Sequence, residues 1–145
     1  MKIEFNSMIT IWTSYFGNHK IPVELPKISI AFKTPKGFKG YEYLKLSPHY
    51  DWWKEWKYKK LSNEWYVQKY KETVLNNLTL FDVINDLCAL TNSSEFCLLC
   101  YEKPTLNPNE WFCHRRIVKS WIEFQTKEHN IANVTTDEWP VNNGI

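Results

Sequence analysis

The segment from Phe96 to Ser120, FCLLCYEKPTLNPNEWFCHRRIVKS, decides the predicted fold. Its apolar run, Phe96 to Tyr101, is typical of a central strand that is covered on both faces, and such strands belong to parallel sheets. A loop rich in Pro and Asn follows, and Cys113-His114-Arg115-Arg116 then opens a predicted helix. The segment therefore predicts an α/β fold, with a small, mostly parallel sheet and helices on both of its faces.

The rest of the chain supplies the other elements of this fold. Met8 to Ser14 and Lys27 to Phe32 are rich in β-branched and aromatic residues, so they predict two more strands. Helices are predicted from Pro48 through Trp56, from Ser62 to Asn77, and from Thr79 to about Leu90, the last two with capping residues at their starts. We expect one domain over 1–145, with an irregular C-terminal extension over 130–145.

Composition excludes several classes of protein. The chain has 145 residues, 43% of them apolar, and a formal net charge of +2, so no strong overall field favours nucleic acid or an anionic membrane. No apolar run approaches the ~20 residues of a membrane span. We therefore expect a soluble, cytoplasmic protein without a membrane partner, whose four cysteines are reduced thiols.

Polar side chains follow each of the three predicted strands. In open α/β sheets ligands bind beyond the carboxyl ends of the strands, so these side chains are expected to converge. The sequence therefore predicts one pocket at the strand ends, built from Ser14, Tyr15, Asn18, Lys36, Glu102, His114 and Arg115.

The start of the last predicted helix is a candidate anion site. Free backbone amides and the positive end of the helix dipole favour anions, and the cations of Arg115 and Arg116 add to them. Lys and Arg together number 18, yet Arg occurs only at these two positions, where a planar guanidinium would suit a phosphate. Chance could equally have placed both arginines there.

The segment from Tyr41 to Lys60 interleaves aromatic rings with lysines. One interpretation is a stacking platform for nucleotide bases, because a ring face near a cation suits them. The other is that Trp52, Trp53 and Trp56 pack on the sheet as core while the lysines are solvated.

These motifs resemble the domain-of-unknown-function 488 family. The similarity covers most of Met8 to Glu123 and rests on Thr13 to Asn18, on Pro35 to Gly40, and on the paired Cys-x-Glu and Cys-His-Arg elements at 100–102 and 113–115. It implies an α/β fold with its site at those motifs, and no settled activity. The longer loop from Thr105 to Trp111 departs from the family pattern, and Trp111 is expected to reshape the pocket.

The cysteines allow several interpretations. Cys97 and Cys100 together with Cys113 and His114 have zinc-like spacing, but residues three apart on a strand point to opposite faces, which argues against a zinc site. A thioredoxin-like pair is disfavoured because that motif opens a helix, whereas this one lies inside a strand. We expect no metal and no cofactor. Cys113 at a helix start could be a nucleophile assisted by His114, and Glu102 could be an acid or base. Alternatively, Cys113 is merely buried and Glu102 merely paired with Arg115.

Two functions follow. The first is capture of a small phosphate-bearing nucleotide, with Arg115 and Arg116 at the phosphate and Tyr15, Trp111 or the tryptophans of 52–56 on the base; a phage or mobile-element protein that sequesters a host signalling nucleotide in the host cytoplasm is one form of it. The second is an enzyme on nucleotides or nucleic acid that uses Glu102 or Cys113, with His114 assisting.

Overall fold

The computed structural model describes residues 7–102 and 112–139. Its sheet has five parallel strands in the order β3-β2-β4-β1-β5. They are β1 Ile9–Tyr15, β2 Lys27–Ser29, β3 Tyr41–Glu42, β4 Glu95–Cys100 and β5 Val134–Glu138. The predicted α/β class and the predicted parallel sheet are thereby confirmed.

Within the described residues there are four α-helices, α1 Tyr50–Tyr58, α2 Asn63–Thr73, α3 Leu80–Thr91 and α4 His114–Glu128. Two of the predicted caps are present: Ser62 Oγ accepts a hydrogen bond from Trp65 N, and Thr79 Oγ1 accepts one from Asp82 N, each at 3.1 Å. Each cap satisfies a helix amide that has no intrahelical acceptor. None of these helices is long and apolar enough to cross a membrane.

The sequence predicted helices on both faces of the sheet, but in the part of the chain that the structure describes they pack against one face only. Residues of all four pack into one core with the alternate strand side chains Ile9, Ile11, Phe96, Leu98 and Cys100. The opposite face carries Cys97 and Leu99, which Ile21 and Leu25 cover from the loop after β1. A near-continuous apolar strand is thus covered on both faces, but by helices on one face and by loops on the other.

Strand order explains this arrangement. The helical connections β3 to β4 and β4 to β5 run across the sheet in one direction, whereas β1 to β2 and β2 to β3 run in the other. Because crossovers between parallel strands are right-handed, connections that run in opposite directions lie on opposite faces. The two connections that contain no α-helix therefore both lie on the face opposite the helices.

Two edge strands were not predicted. β3 has only two residues, both exposed, and β5 (VTTDE) alternates in burial without a strong apolar signal. β5 lies inside the stretch over 130–145 that we expected to be irregular, and it pairs in parallel with β1 from Ile9↔Val134 to Thr13↔Glu138. The described part of that tail is therefore part of the sheet.

Candidate functional site

The loops at the carboxyl ends of β1, β2 and β4 meet, as the sequence predicted. The Phe16 ring lies 5.3 Å from that of Phe38, in the loop after β2, and 4.9 Å from that of Tyr101, after β4. The Tyr101 hydroxyl also donates a hydrogen bond to the backbone oxygen of Lys33. Aromatic contacts thus hold the three strand ends together.

A cavity of about 510 Å³ lies between the ends of β2 and β4 and the helix α1. That volume is within the range of small-molecule sites. Three predicted site residues line it: Glu102, Cys113 and His114. The other lining residues are Ala31, Phe32, Lys33, Pro48, Trp53, Trp56, Lys57, Tyr66, Cys100, Tyr101 and Phe112.

One tryptophan of α1 packs in the core and the other two line the cavity. Trp52 is core: it is buried, and its Nε1 donates to Thr73 Oγ1 at 2.9 Å. Trp53 and Trp56 are half-buried and line the cavity. Within the described residues the buried Trp56 indole N–H has no hydrogen-bond partner. An unpaired buried donor is costly, so a ligand acceptor would be favourable here if the Trp56 ring turns to expose this nitrogen, which has almost no accessible surface in the structure.

The Sγ atoms of Cys100 and Cys113 lie within bonding distance of each other, as in a disulfide, which disagrees with the expectation that all four cysteines are free reduced thiols. Cys100 ends β4, Cys113 directly precedes α4, and both are buried. Cys88 and Cys97 are free and buried. Cys97 packs on the opposite face of the sheet from Cys100, as residues three apart on a strand must. In the described structure, therefore, Cys113 is available as a nucleophile only after reduction.

His114 is buried at the first position of α4. Its Nε2 lies 2.7 Å from the backbone oxygen of Ile30, which is compatible with a neutral ring that donates from Nε2. Burial lowers the pKa of His114 to about 4, and the nearby charge of Arg115 acts in the same direction. The ring is therefore neutral at pH 7, and its Nδ1 carries the lone pair.

One group of residues could hold a metal. A ligand atom of each of Cys100, Cys113 and His114 lies within 4.8 Å of the others, and all three residues are buried. The sequence pattern set Cys97 and Cys100 beside Cys113 and His114 and argued against a metal because Cys97 and Cys100 point to opposite faces; the group found in the structure does not include Cys97. Metal binding here would require the two sulfurs to be reduced, because a thiolate is the ligand.

Arg115 is fully buried and contacts protein groups. Its Nη2 lies 2.9 Å from Glu138 Oε2, and its Nε lies 3.1 Å from Glu138 Oε1. Its Nη1 donates to Cys100 Sγ at 3.4 Å. Glu138 Oε1 also accepts a hydrogen bond from Thr13 Oγ1 at 2.6 Å. The guanidinium thus connects the start of α4 with β5 and with the end of β4.

The remaining predicted residues are not among those that line this cavity. Ser14 and Asn18 are buried and bond to each other, with Asn18 Nδ2 3.0 Å from Ser14 Oγ. Tyr15 is half-buried and Lys36 is exposed. Trp111 lies outside the described residues. The ligand roles predicted for these residues stay predictions.

Arg116 lies on another side of α4. It lines a second cavity, of about 680 Å³, between α2 and α4, together with Val67, Leu75, Trp121 and Phe124. This cavity is larger than the first, but no strand end borders it. Arg115 and Arg116 therefore have different surroundings, as expected for neighbours about 100° apart on a helix.

Sequence reasoning missed several residues of the site. Phe32 is the last residue of the predicted second strand and Lys33 is the next residue, so the strand-end rule could have found them, although the observed β2 already ends at Ser29. Lys57 belongs to the interleaved aromatic and basic segment, whose pattern did not show which lysine faces the strand ends. Glu138 was missed because its strand gives a weak signal.

Comparison with known proteins identifies the family. Residues 11–126 match the family model DUF488-N3a, described as the active DUF488-N3 subclade. Comparisons with curated proteins and with solved structures found no significant match.

Proposed function

This chain belongs to the DUF488 family, and we propose that it binds a small nucleotide-like anion in the cavity between α1 and the ends of β2 and β4. The observation that carries the proposal is the composition of the cavity wall. Trp53, Trp56 and Phe32 supply rings, while Lys33 and Lys57 supply cations. Rings beside cations are what a base with an attached phosphate requires.

The position of Lys57 supports this proposal. Its Nζ lies 5.0 Å from the centroid of the Trp53 ring, so the cation and the ring of one site are neighbours. The side chain is exposed, and its ammonium group can turn toward a phosphate at little cost. The unpaired N–H of Trp56 would then donate to an acceptor on the base or sugar.

In this proposal Arg115 supports the site and does not bind phosphate directly. Its guanidinium already pairs with Glu138 and contacts Cys100, and direct binding of a ligand would compete with those contacts. The phosphate is assigned to Lys33 and Lys57 at the mouth of the cavity. One specific form of the proposal remains a phage or mobile-element protein that sequesters a host signalling nucleotide.

The experiment is calorimetry with a panel of linear and cyclic nucleotides, comparing Lys57→Gln with Lys54→Gln. Lys54 is a matched control because it is on the same helix, is exposed, and lies 5.7 Å from the ring of Tyr50, but does not line the cavity. We expect Lys57→Gln alone to weaken binding, by roughly tenfold for one charged hydrogen bond. Equal losses in the two variants, or no binding by any nucleotide, would refute the proposal.

An enzyme acting on nucleotides is the second candidate. Glu102, Cys113 and His114 all line the cavity, and the matching subclade is described as active. If Glu102 is an acid or base, Glu102→Gln should leave binding largely intact and lower turnover by roughly 10² to 10⁴. The assay is the integrity of each nucleotide after long incubation, with and without reductant. Ligand that stays intact in both conditions would exclude catalysis on that ligand.

A further inference from the structure

We propose that Cys100 and Cys113 are a redox-active pair that exchanges reversibly with low-molecular-weight thiols and disulfides at the wall of the cavity. The exchange does not require nucleotide binding. The fold brings together the last residue of β4 and the residue before α4, which are 13 positions apart in sequence. Both cysteines line the cavity, so a small reagent has a route to them.

A positive charge lies beside one of the two sulfurs. Arg115 Nη1 donates to Cys100 Sγ at 3.4 Å, inside a fully buried environment. A guanidinium stabilises a thiolate more than it stabilises a disulfide sulfur, because only the thiolate carries a full negative charge. Stabilising the reduced form makes a disulfide easier to reduce. Arg115 thus favours opening of the pair.

The two sulfurs then have different roles. Both residues are buried, but Cys113 as a whole residue is less so, at 6% exposed against 1% for Cys100, and we therefore assign the attack of the incoming thiolate to Cys113 Sγ. Cys100 is the leaving group, because its thiolate forms beside Arg115. The order of steps follows from this difference in exposure and charge.

The reaction balances as a two-electron exchange. The first small thiolate forms a mixed disulfide with Cys113 as the Cys100–Cys113 bond breaks, and Cys100 leaves as a thiolate. A second small thiolate attacks the small-molecule sulfur of that mixed disulfide and releases Cys113 as a thiolate. Two small thiols become one small disulfide, and the protein disulfide becomes a dithiol that takes up their two protons. A small disulfide reverses both steps.

The test is equilibration of the full chain with mixtures of reduced and oxidised glutathione, in the absence of nucleotide. Thiols are trapped by acid, alkylated, and located by peptide mass spectrometry. We expect Cys100 and Cys113 to titrate together in one transition, as a linked pair of peptides. Cys88 and Cys97, which are also buried but free, are internal controls and should stay reduced throughout.

Single cysteine variants test the order of attack. In Cys100→Ser the remaining Cys113 should retain glutathione as a mixed disulfide. In Cys113→Ser we expect much less adduct on Cys100, because it is the less exposed partner. Equal adducts on both variants would contradict the assignment of Cys113 as the attacked sulfur.

Two further variants test the charge, with opposite expected signs. Arg115→Met should shift the equilibrium toward the disulfide by about tenfold, the lower worth of one charged hydrogen bond. Glu138→Gln removes the carboxylate that neutralises Arg115, so it should shift the equilibrium toward the dithiol. If Arg115→Met does not fold, the sign found for Glu138→Gln decides.

Three outcomes would overturn the proposal. One is a pair that stays reduced in the most oxidising mixture. Another is a midpoint that none of the charge variants moves. The third is stoichiometric zinc in the purified protein with Cys100 and Cys113 protected until a chelator is added, since those residues and His114 would then be metal ligands. A failure of nucleotide binding would leave these thiol measurements unaffected.

Discussion

The buried ion pair between Arg115 and Glu138 should be the most sensitive charge interaction of the fold. Glu138→Gln keeps the size of the side chain and one oxygen, and it removes the charge opposite a guanidinium that is 0% exposed. Breaking a buried pair costs about 3 to 5 kcal/mol, because the remaining charge stays desolvated. Glu138 is itself 26% exposed. We therefore expect a loss near the lower bound, about 3 kcal/mol.

Urea unfolding measures this loss. With a slope of about 2 kcal/mol/M, the unfolding midpoint of Glu138→Gln should fall by roughly 1.5 M while the slope stays unchanged. The matched control is Glu123→Gln, which breaks an exposed pair on α4 in which Lys119 Nζ lies 3.3 Å from Glu123 Oε2. That variant should lose no more than about 0.5 kcal/mol. Similar small losses in both variants would show that Arg115 does not depend on its counter-charge.

Three further predictions concern titration and the cavity wall. The pKa of His114 is lowered to about 4 in the folded protein, so as the pH falls the unfolded chain takes up the proton before the folded chain does. Stability should therefore fall by up to about 3 kcal/mol between pH 6.5 and 4. In urea unfolding, His114→Asn should lose this pH dependence. The hydrogen bond from Tyr43 lowers the pKa of Asp86. In thermal melts Tyr43→Phe should therefore be less stable than the wild type, by under ~1 kcal/mol, and only at pH values above the range in which Asp86 is protonated. Trp56→Phe should keep an aromatic ring beside Tyr66 and Phe112 and lose some stability because the ring is smaller. It should also weaken nucleotide binding by calorimetry, because the unpaired N–H is lost.

Local sequence signals predicted the elements that have local causes. The caps at Ser62 and Thr79 act within three residues, so their pattern could be found without knowing the fold. The apolar run of β4 likewise indicated burial on both faces. It could not show that helices cover one face and loops the other, because that depends on the order of strands far apart in sequence.

The sequence predicted that the candidate site lies at the strand ends, but it identified only some of the residues that line the cavity. Glu102, Cys113 and His114 were found because each directly adjoins a predicted strand or helix terminus. The Cys100–Cys113 disulfide was not predicted, since the length of the loop between the two residues does not show that their sulfurs meet. Nor was the partner of Arg115, which lies 23 residues away, in a short and largely polar strand.

The start of α4 explains why three consecutive residues can have three different roles. Cys113 precedes the helix in an extended conformation, and the helical residues His114 and Arg115 point about 100° apart, so the three face different neighbours. Cys113 joins the end of β4, His114 lies against Ile30 after β2, and Arg115 pairs with β5. These contacts give the Cys-His-Arg element a structural explanation that needs no ligand. A binding function must therefore be tested on residues outside that element, and Lys57 is the one for which α1 also offers a matched control.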